Sequence, residues 1–484
     1  MAVSGPVAAE TRPKYAGKVE GTLLGAPVTF DPIAARSHPD LVVAELLFDP
    51  LYRMGAPGTV QPHLAAAVPV PVAGAARPTV KVQLRRGVRF HDGSQLTASD
   101  VVASLERARV QNKWLLAAVS AIRAVAADEI EIETAASVDL ATLLSQPATS
   151  ITKGGRDPGD KPVGTGPYAL EALDRAKARL TVKAFDDHFA GRVYLDRLVL
   201  HWYTAASAEA GQYETDAIQI SSRGTAVYAG SQPTYRADDV EGPKALLVYV
   251  GFGRAHAAVT GDPDFRRALD QALVRNGLAA LTSGEHVTPA SVPVPEEAGG
   301  GVLSPAVAAG NLSAAQASLA AAARRVPALA PDRIGSLKLE ILVEESRPDD
   351  KDIALRVARA LLQLGIASTI ATLPAPQYAA RVRDGNADLW IGQLAAPVMM
   401  APLWWGHAFA AGRDDALVKS YASGRFDAAA AKKLFEARLP IVPLMFRSIK
   451  LWHRTDIRGL AFDAAGVPCF AELFLFGSPR STRR

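Results

Sequence analysis

Residues 79–108, TVKVQLRRGVRFHDGSQLTASDVVASLERA, constrain the fold more than any other stretch, because strand, turn, strand, turn and capped helix follow one another without a break. Val80, Val82 and Leu84 alternate with Lys81, Gln83 and Arg85, the period of two that marks a half-buried strand. Gly87 interrupts it, Val88 and Phe90 resume it, and Asp92 with Gly93 supplies a turn that tolerates positive φ. A helix is expected next. Thr97 is its N-cap, Asp100 completes a capping box at the positive end of the dipole, and Val101, Val102, Leu105 and Ala108 form the buried stripe.

Within that run, LRRGVRFHDGSQLTASDVVASL at 84–105 resembles the signature of the family-5 extracytoplasmic solute-binding proteins, the oligopeptide-, dipeptide- and nickel-binding group of ABC importers. Further stretches are similar to family motifs in the same order: Asp49, Pro50, Leu51 and Tyr52; PVGTGPY at 162–168; and DPDFRRALDQALVR at 262–275, after which Asn276 and Gly277 depart from the pattern. The resemblance covers residues 18–476. It implies an α/β class II periplasmic-binding-protein fold of the cluster C type, two large lobes with an extra small lobe and hinge strands. Residues 18–41, 162–252 and 453–476 would form a discontinuous lobe I, 42–161 the small lobe II, and 253–452 lobe III.

The chain length of 484 residues agrees with several lobes, since one core seldom serves so many. With 53 Lys+Arg against 49 Asp+Glu, scattered rather than striped, the charge argues against a nucleic-acid partner. No apolar run approaches the ~20 residues that span a bilayer. Residues 1–20 lack the apolar segment of a signal peptide, so the expectation is a numbering that starts after a removed leader, with Met1 added for expression, and a periplasmic or extracytoplasmic, monomeric protein. Residues 1–17 read as a mobile lead-in and RSTRR at 480–484 as a solvated end. Cys469, alone, forms no intramolecular disulfide and reads as a small core residue.

Enzyme signatures are absent: no GxSxG, no HExxH, no paired cysteines, and nine dispersed histidines. GTGPYA at 164–169 formally fits GxGxxA, but Pro167 and a strand-like 168–170 follow where a dinucleotide site needs a helix N-terminus. No cofactor or metal is expected.

Lobe III carries a βαβαβ pattern. A strand at 337–343 precedes a helix with Ile353, Val357, Ala360, Leu361 and Leu364 on one face, capped by Gly365; strand 366–370, a helix at 378–383 ended by Gly385, and strand 389–391 follow. In such sheets ligands lie beyond the carboxyl ends of the strands, here Glu344, Glu345 and residues 392–400. Peptide binders of the family resemble one another in a GWxxDxxDP run whose aspartate pairs with the ligand's α-ammonium. The corresponding GQLAAPVMM has neither the tryptophan nor the aspartate. A buried ammonium without a counter-charge costs several kcal/mol, so free-N-terminus peptide recognition is disfavoured, with Glu344 or Glu345 as the available substitute.

Leu394, Met399, Met400, Trp404 and Trp405, with Gln393 and His407 as polar handles, then suit an apolar or sugar-like solute, unless the tryptophans fill a core beneath the loop. Arg36 and His38 on the loop after the first strand complete the candidate ligand contacts, with Tyr249, Phe252 and Arg254 at a first hinge strand near Gly251; a second crossing is expected near Pro443. The expected function is capture of a small-molecule or peptide-like solute by lobe closure and delivery to an ABC permease. Two rivals are a non-transport descendant, acting as sensor or envelope-assembly subunit, and an enzyme on the same scaffold.

Overall fold

The computed structural model describes residues 15–55, 59–222, 233, 237–278 and 287–476. Most of the expected lead-in and the RSTRR end lie outside the described residues.

The 79–108 run builds the small lobe. Thr79–Gln83 pairs antiparallel with Glu129–Thr134, Val82 facing Ile130, in a four-stranded sheet that also contains Val70–Pro71 and Val119–Ala126. Helix Ala98–Gln111 opens with the capping box: Asp100 N donates to Thr97 Oγ1 at 3.3 Å and Thr97 N to Asp100 Oδ2 at 2.9 Å. Val101, Leu105 and Ala108 are fully buried. Val102 is only half-buried, and Ser104 takes the fourth inward place, its hydroxyl donating to Asp100 O at 2.8 Å and Thr152 O at 3.0 Å. Strand Val119–Ala126 has no sequence counterpart because two register shifts against its neighbour break the period of two.

Lobe I holds the sheet Lys18–Thr22, Arg197–His201, Arg179–Ala184 and Tyr168–Asp174, its first pair parallel and the others antiparallel. A three-stranded sheet beside it sets Lys450–Arg454 between Ile220–Ser221 and Ala237–Glu241. Lobe III is a six-stranded sheet in the order Val287–Pro289, Val442–Arg447, Leu246–Phe252, Leu389–Ala395, Lys338–Glu344 and Ala367–Leu373. The last three strands are mutually parallel and carry helices Pro348–Gln363 and Ala375–Asp384, so the βαβαβ unit is present.

Leu246–Phe252 is buried at all seven positions because it is central in this sheet, as its unbroken apolar run requires. On sequence this strand closed lobe I; its hydrogen bonds place it in the lobe III sheet. The chain therefore crosses between lobes at 241–246 and 447–450, where Gly242 N donates to Ile449 O at 2.9 Å, and not at Gly251 or Pro443.

Three sequence motifs meet in one buried knot where the lobes join. Asp49 is wholly buried and accepts from His63 Nε2 at 2.7 Å and from Thr165 Oγ1 at 2.9 Å. His91 donates through Nε2 to Gly166 O at 3.0 Å and accepts from Gly164 N at Nδ1, 3.3 Å. Gly164 and Gly166 lie so close to helix His38–Leu47 that a Cβ on either would overlap the Leu46 or Leu47 backbone. The glycines of GTGPY serve close approach of two backbones rather than a phosphate.

Candidate functional site

The carboxyl ends of the parallel lobe III strands face lobe I and the small lobe, and contacts across the gap are direct. Ala26 N donates to Ser346 Oγ at 2.9 Å and Val398 N to Ala464 O at 3.0 Å, joining lobe I to lobe III. From the small lobe, the Trp114 ring sits against Gly406, where a Cβ would overlap it, and meets His407 edge-on at 5.0 Å. Lys113 Nζ lies 3.6 Å from Asp415 Oδ2 beside them. Trp114 carries no recognisable signal in sequence except its complement, a glycine inside the apolar helix Ala401–Ala411.

Two reciprocal aromatic-on-glycine pairs form the floor. Tyr249 opposes Gly392 and Trp390 opposes Gly251 across antiparallel strands, each ring occupying the space a partner's Cβ would need. Strand alternation then divides the candidates. Tyr249 and Leu394 face the small lobe, whereas Phe252 turns to the opposite face, packing under helix Pro263–Ala272 with the Arg266 guanidinium 4.6 Å from its ring centroid. Gln393 also points away from Leu394, its Nε2 donating to Asp350 Oδ1 at 3.3 Å.

Glu344 is buried and already engaged. Its Oε2 lies 2.9 Å from Arg347 Nε, which also reaches Asp350 Oδ2 at 3.1 Å, and its Oε1 accepts from Ser346 Oγ. Burial by itself would lower the Arg347 pKa, but Asp350 and Glu344 more than reverse it; burial raises Asp350 to about 7. Glu344 and Asp350 are thus committed to an arginine, whereas Glu345, the other carboxylate expected to substitute, is exposed.

The tryptophans lie in a core. Trp404 is fully buried, donates Nε1 to Pro397 O at 3.1 Å and meets Phe446 edge-on, while Trp405 packs on Phe435. Met399 is exposed. His38 begins helix His38–Leu47 and is buried, Nε2 bonded to Gly466 O at 3.0 Å, with burial pulling its pKa down to about 4. His407 is lowered to about 3, first by burial and then by Arg36.

Arg36 keeps solvent contact between the lobes and donates to Ile33 O at 3.0 Å, Ala35 O at 2.8 Å and Asn112 Oδ1 at 2.5 Å. With Asn112, Trp114, Gly406, Phe409 and Arg413 it lines a cavity of about 200 Å³. A larger cavity of about 330 Å³ lies at the sheet edge, lined by Lys244 and by residues between 288 and 446 alone. Of the two, the smaller takes walls from lobe I, the small lobe and lobe III together. Arg413, like Trp114, was not among the residues singled out in the sequence; it adopts φ 54 just beyond the end of its helix, a signal that only the backbone carries.

The family model for bacterial extracellular solute-binding proteins, family 5 middle region, matches residues 59–416. The chain belongs to that family. The glutathione-binding protein GsiB of Salmonella choleraesuis is 27% identical over 285 residues, 55% of this chain and 54% of its own length. The nickel-binding protein NikA of Staphylococcus aureus is 25% identical over 228 residues, 44% of each. The chain thus spans about half the length of the curated relatives it matches. Among solved structures, the oligopeptide-binding protein AppA of Bacillus subtilis, in complex with a nonapeptide, superposes with a TM-score of 0.78 at 17% identity, covering 96% of this chain and 100% of that one. AgaA of A. tumefaciens, in complex with agropinic acid, gives 0.75 at 19%, covering 96% and 99%. These likenesses show that the family-5 member has the periplasmic-binding-protein fold expected of it.

Proposed function

We propose that this family-5 protein is the extracytoplasmic solute-binding subunit of an ABC importer, trapping a small or peptide-like solute between its lobes and presenting the closed form to a permease. The observation that carries the reading is the cavity walled by all three lobes, because a ligand there contacts every rigid part and so favours closure; only such differential binding shifts the population. The two crossings at 241–246 and 447–450 are the hinge. Among the described residues no helix is long and apolar enough to cross a membrane. A cavity of about 200 Å³ is below the ~300–1,000 Å³ usual for whole ligands, which favours a small solute or one terminal group of a larger one.

A peptide with a free N-terminus is a poor candidate, since Glu344 and Asp350 are spent on Arg347 and Glu345 is exposed to solvent. Native mass spectrometry of protein purified from its own host tests the proposal. One stoichiometric adduct, lost on denaturation, is expected; no adduct, together with no change of scattering radius for any solute offered, would count against a carrier.

A further inference from the structure

We propose that the solute bears a carboxylate or comparable anionic group, and that Arg36 and Arg413 hold it from opposite walls of the interlobe cavity. The inference rests on the carrier reading and gives it a substrate class.

Among the described residues, neither Arg36 nor Arg413 makes an ion pair. Arg36 donates to two carbonyls and Asn112, and Arg413 to the carbonyls of Val382 and Arg383. The carboxylates nearby are engaged elsewhere, Asp384 beside Arg413 with Arg383 at 3.2 Å. Asp31 takes a bidentate pair of 2.8 Å bonds from Arg107, and Asp40 accepts from the backbone of Val28 at 2.7 Å. Of the two that share the cavity wall, Asp414 lies 3.1 Å from Arg438 and Asp415 3.6 Å from Lys113.

A third arginine aggravates the imbalance. Arg254 lies beside Arg413 at Gly385, where a Cβ would overlap Arg413 and touch the Arg254 stem at 3.5 Å. Trp390, with the Arg413 guanidinium 5.7 Å from its ring centroid, and the nearly buried Tyr249 keep water from this side. Burial pulls the pKa of Arg413 down and the like charge of Arg254 adds to it; the Tyr249 hydroxyl feels both Arg36 and Arg413. Arg413 and Arg254 are like charges held side by side, an arrangement that is unfavourable until an anion joins it. Guanidinium is the group suited to that anion, because its fork matches both oxygens of a carboxylate. Trp404 and Trp405 lie in the core and do not line the cavity, whose apolar wall is Trp114, Phe409, Leu417 and Val418.

The test is calorimetric titration with a panel of mono- and dicarboxylates of two to six carbons and N-acetyl amino acids, each beside its neutral amide. At least one carboxylate is expected to bind while its amide binds tenfold or more weakly. Arg36→Gln and Arg413→Gln should each weaken that carboxylate at least tenfold and its neutral amide little, a split that the modest fall in melting temperature from their lost carbonyl hydrogen bonds would not produce. Arg77→Gln, on the outer face of the small lobe, should leave it unchanged. Recovery of a neutral solute from the host, bound equally by wild type and both variants, overturns the anion assignment and leaves the carrier standing. Failure of every panel member together with no recovered solute overturns both.

Discussion

Two charged clusters at lobe junctions differ in what is left over. In the Asp49 knot the carboxylate is met by His63 and Thr165 with His188 3.7 Å away, the backbone of Gly164 and Gly166 is bound by His91, and the glycines bring two backbones into contact. In the interlobe cavity Arg36 and Arg413 meet only neutral acceptors and a void of about 200 Å³ remains. A cluster that is complete by itself holds the scaffold; one left short of charge and volume awaits a further molecule.

The sharpest way to break this contrast is Gly164→Ala. With the new methyl overlapping the Leu47 carbonyl, backbone must move against backbone, and a loss of at least ~4 kcal/mol is expected in urea denaturation. A loss below about 1 kcal/mol would show the knot to be loosely packed. Next is Trp114→Ala, which removes the small lobe's ring from Gly406 and His407. On the order of 3 kcal/mol is expected, part of it from the closed state, so that at saturating solute the scattering radius exceeds that of wild type. An unchanged radius would mean that this contact does not hold the lobes shut.

The third test is pH. His38 is lowered from the ordinary histidine value to about 4, so its contribution to stability is present above the unfolded value near pH 6.5 and is lost as pH falls toward 4. Asp350, raised to about 7, works in the opposite direction over the same window, so the comparison must be between variants. Relative to wild type, His38→Gln should gain up to ~3 kcal/mol between pH 6.5 and 4 in parallel melts. A constant difference would remove the buried neutral histidine from the account. Smallest is Arg254→Gln. The side chain is exposed, so unliganded stability should stay within about 0.5 kcal/mol, while carboxylate affinity falls about twofold to fivefold. An equal loss of affinity for the neutral amide would show Arg254 to act by shape rather than charge.

Much of the fold was legible in the residues. The capping box of Thr97 and Asp100, the buried strand Leu246–Phe252 and the βαβαβ order of lobe III follow from periods of two and 3.6 and from local hydrogen bonds. Those signals act over a few residues, and a single chain displays them. Family membership was legible for the same reason, because the motifs that mark it are backbone requirements of the Asp49 knot.

The site was not legible to the same degree. Tyr249 and Phe252, three residues apart on one strand, must fall on opposite faces, but which face meets the other lobes and which a helix only the tertiary packing decides. Trp404 and Trp405 have the sequence character of a greasy lining, yet Phe446 and Phe435 pack against them in the core. Arg36 and Arg413 are 377 positions apart and ordinary in sequence. By itself the sequence determined elements, caps and close backbone approaches, since each is settled by neighbours along the chain. Which charges lack a partner was decided by tertiary structure alone, because a counter-charge arrives through space from any lobe.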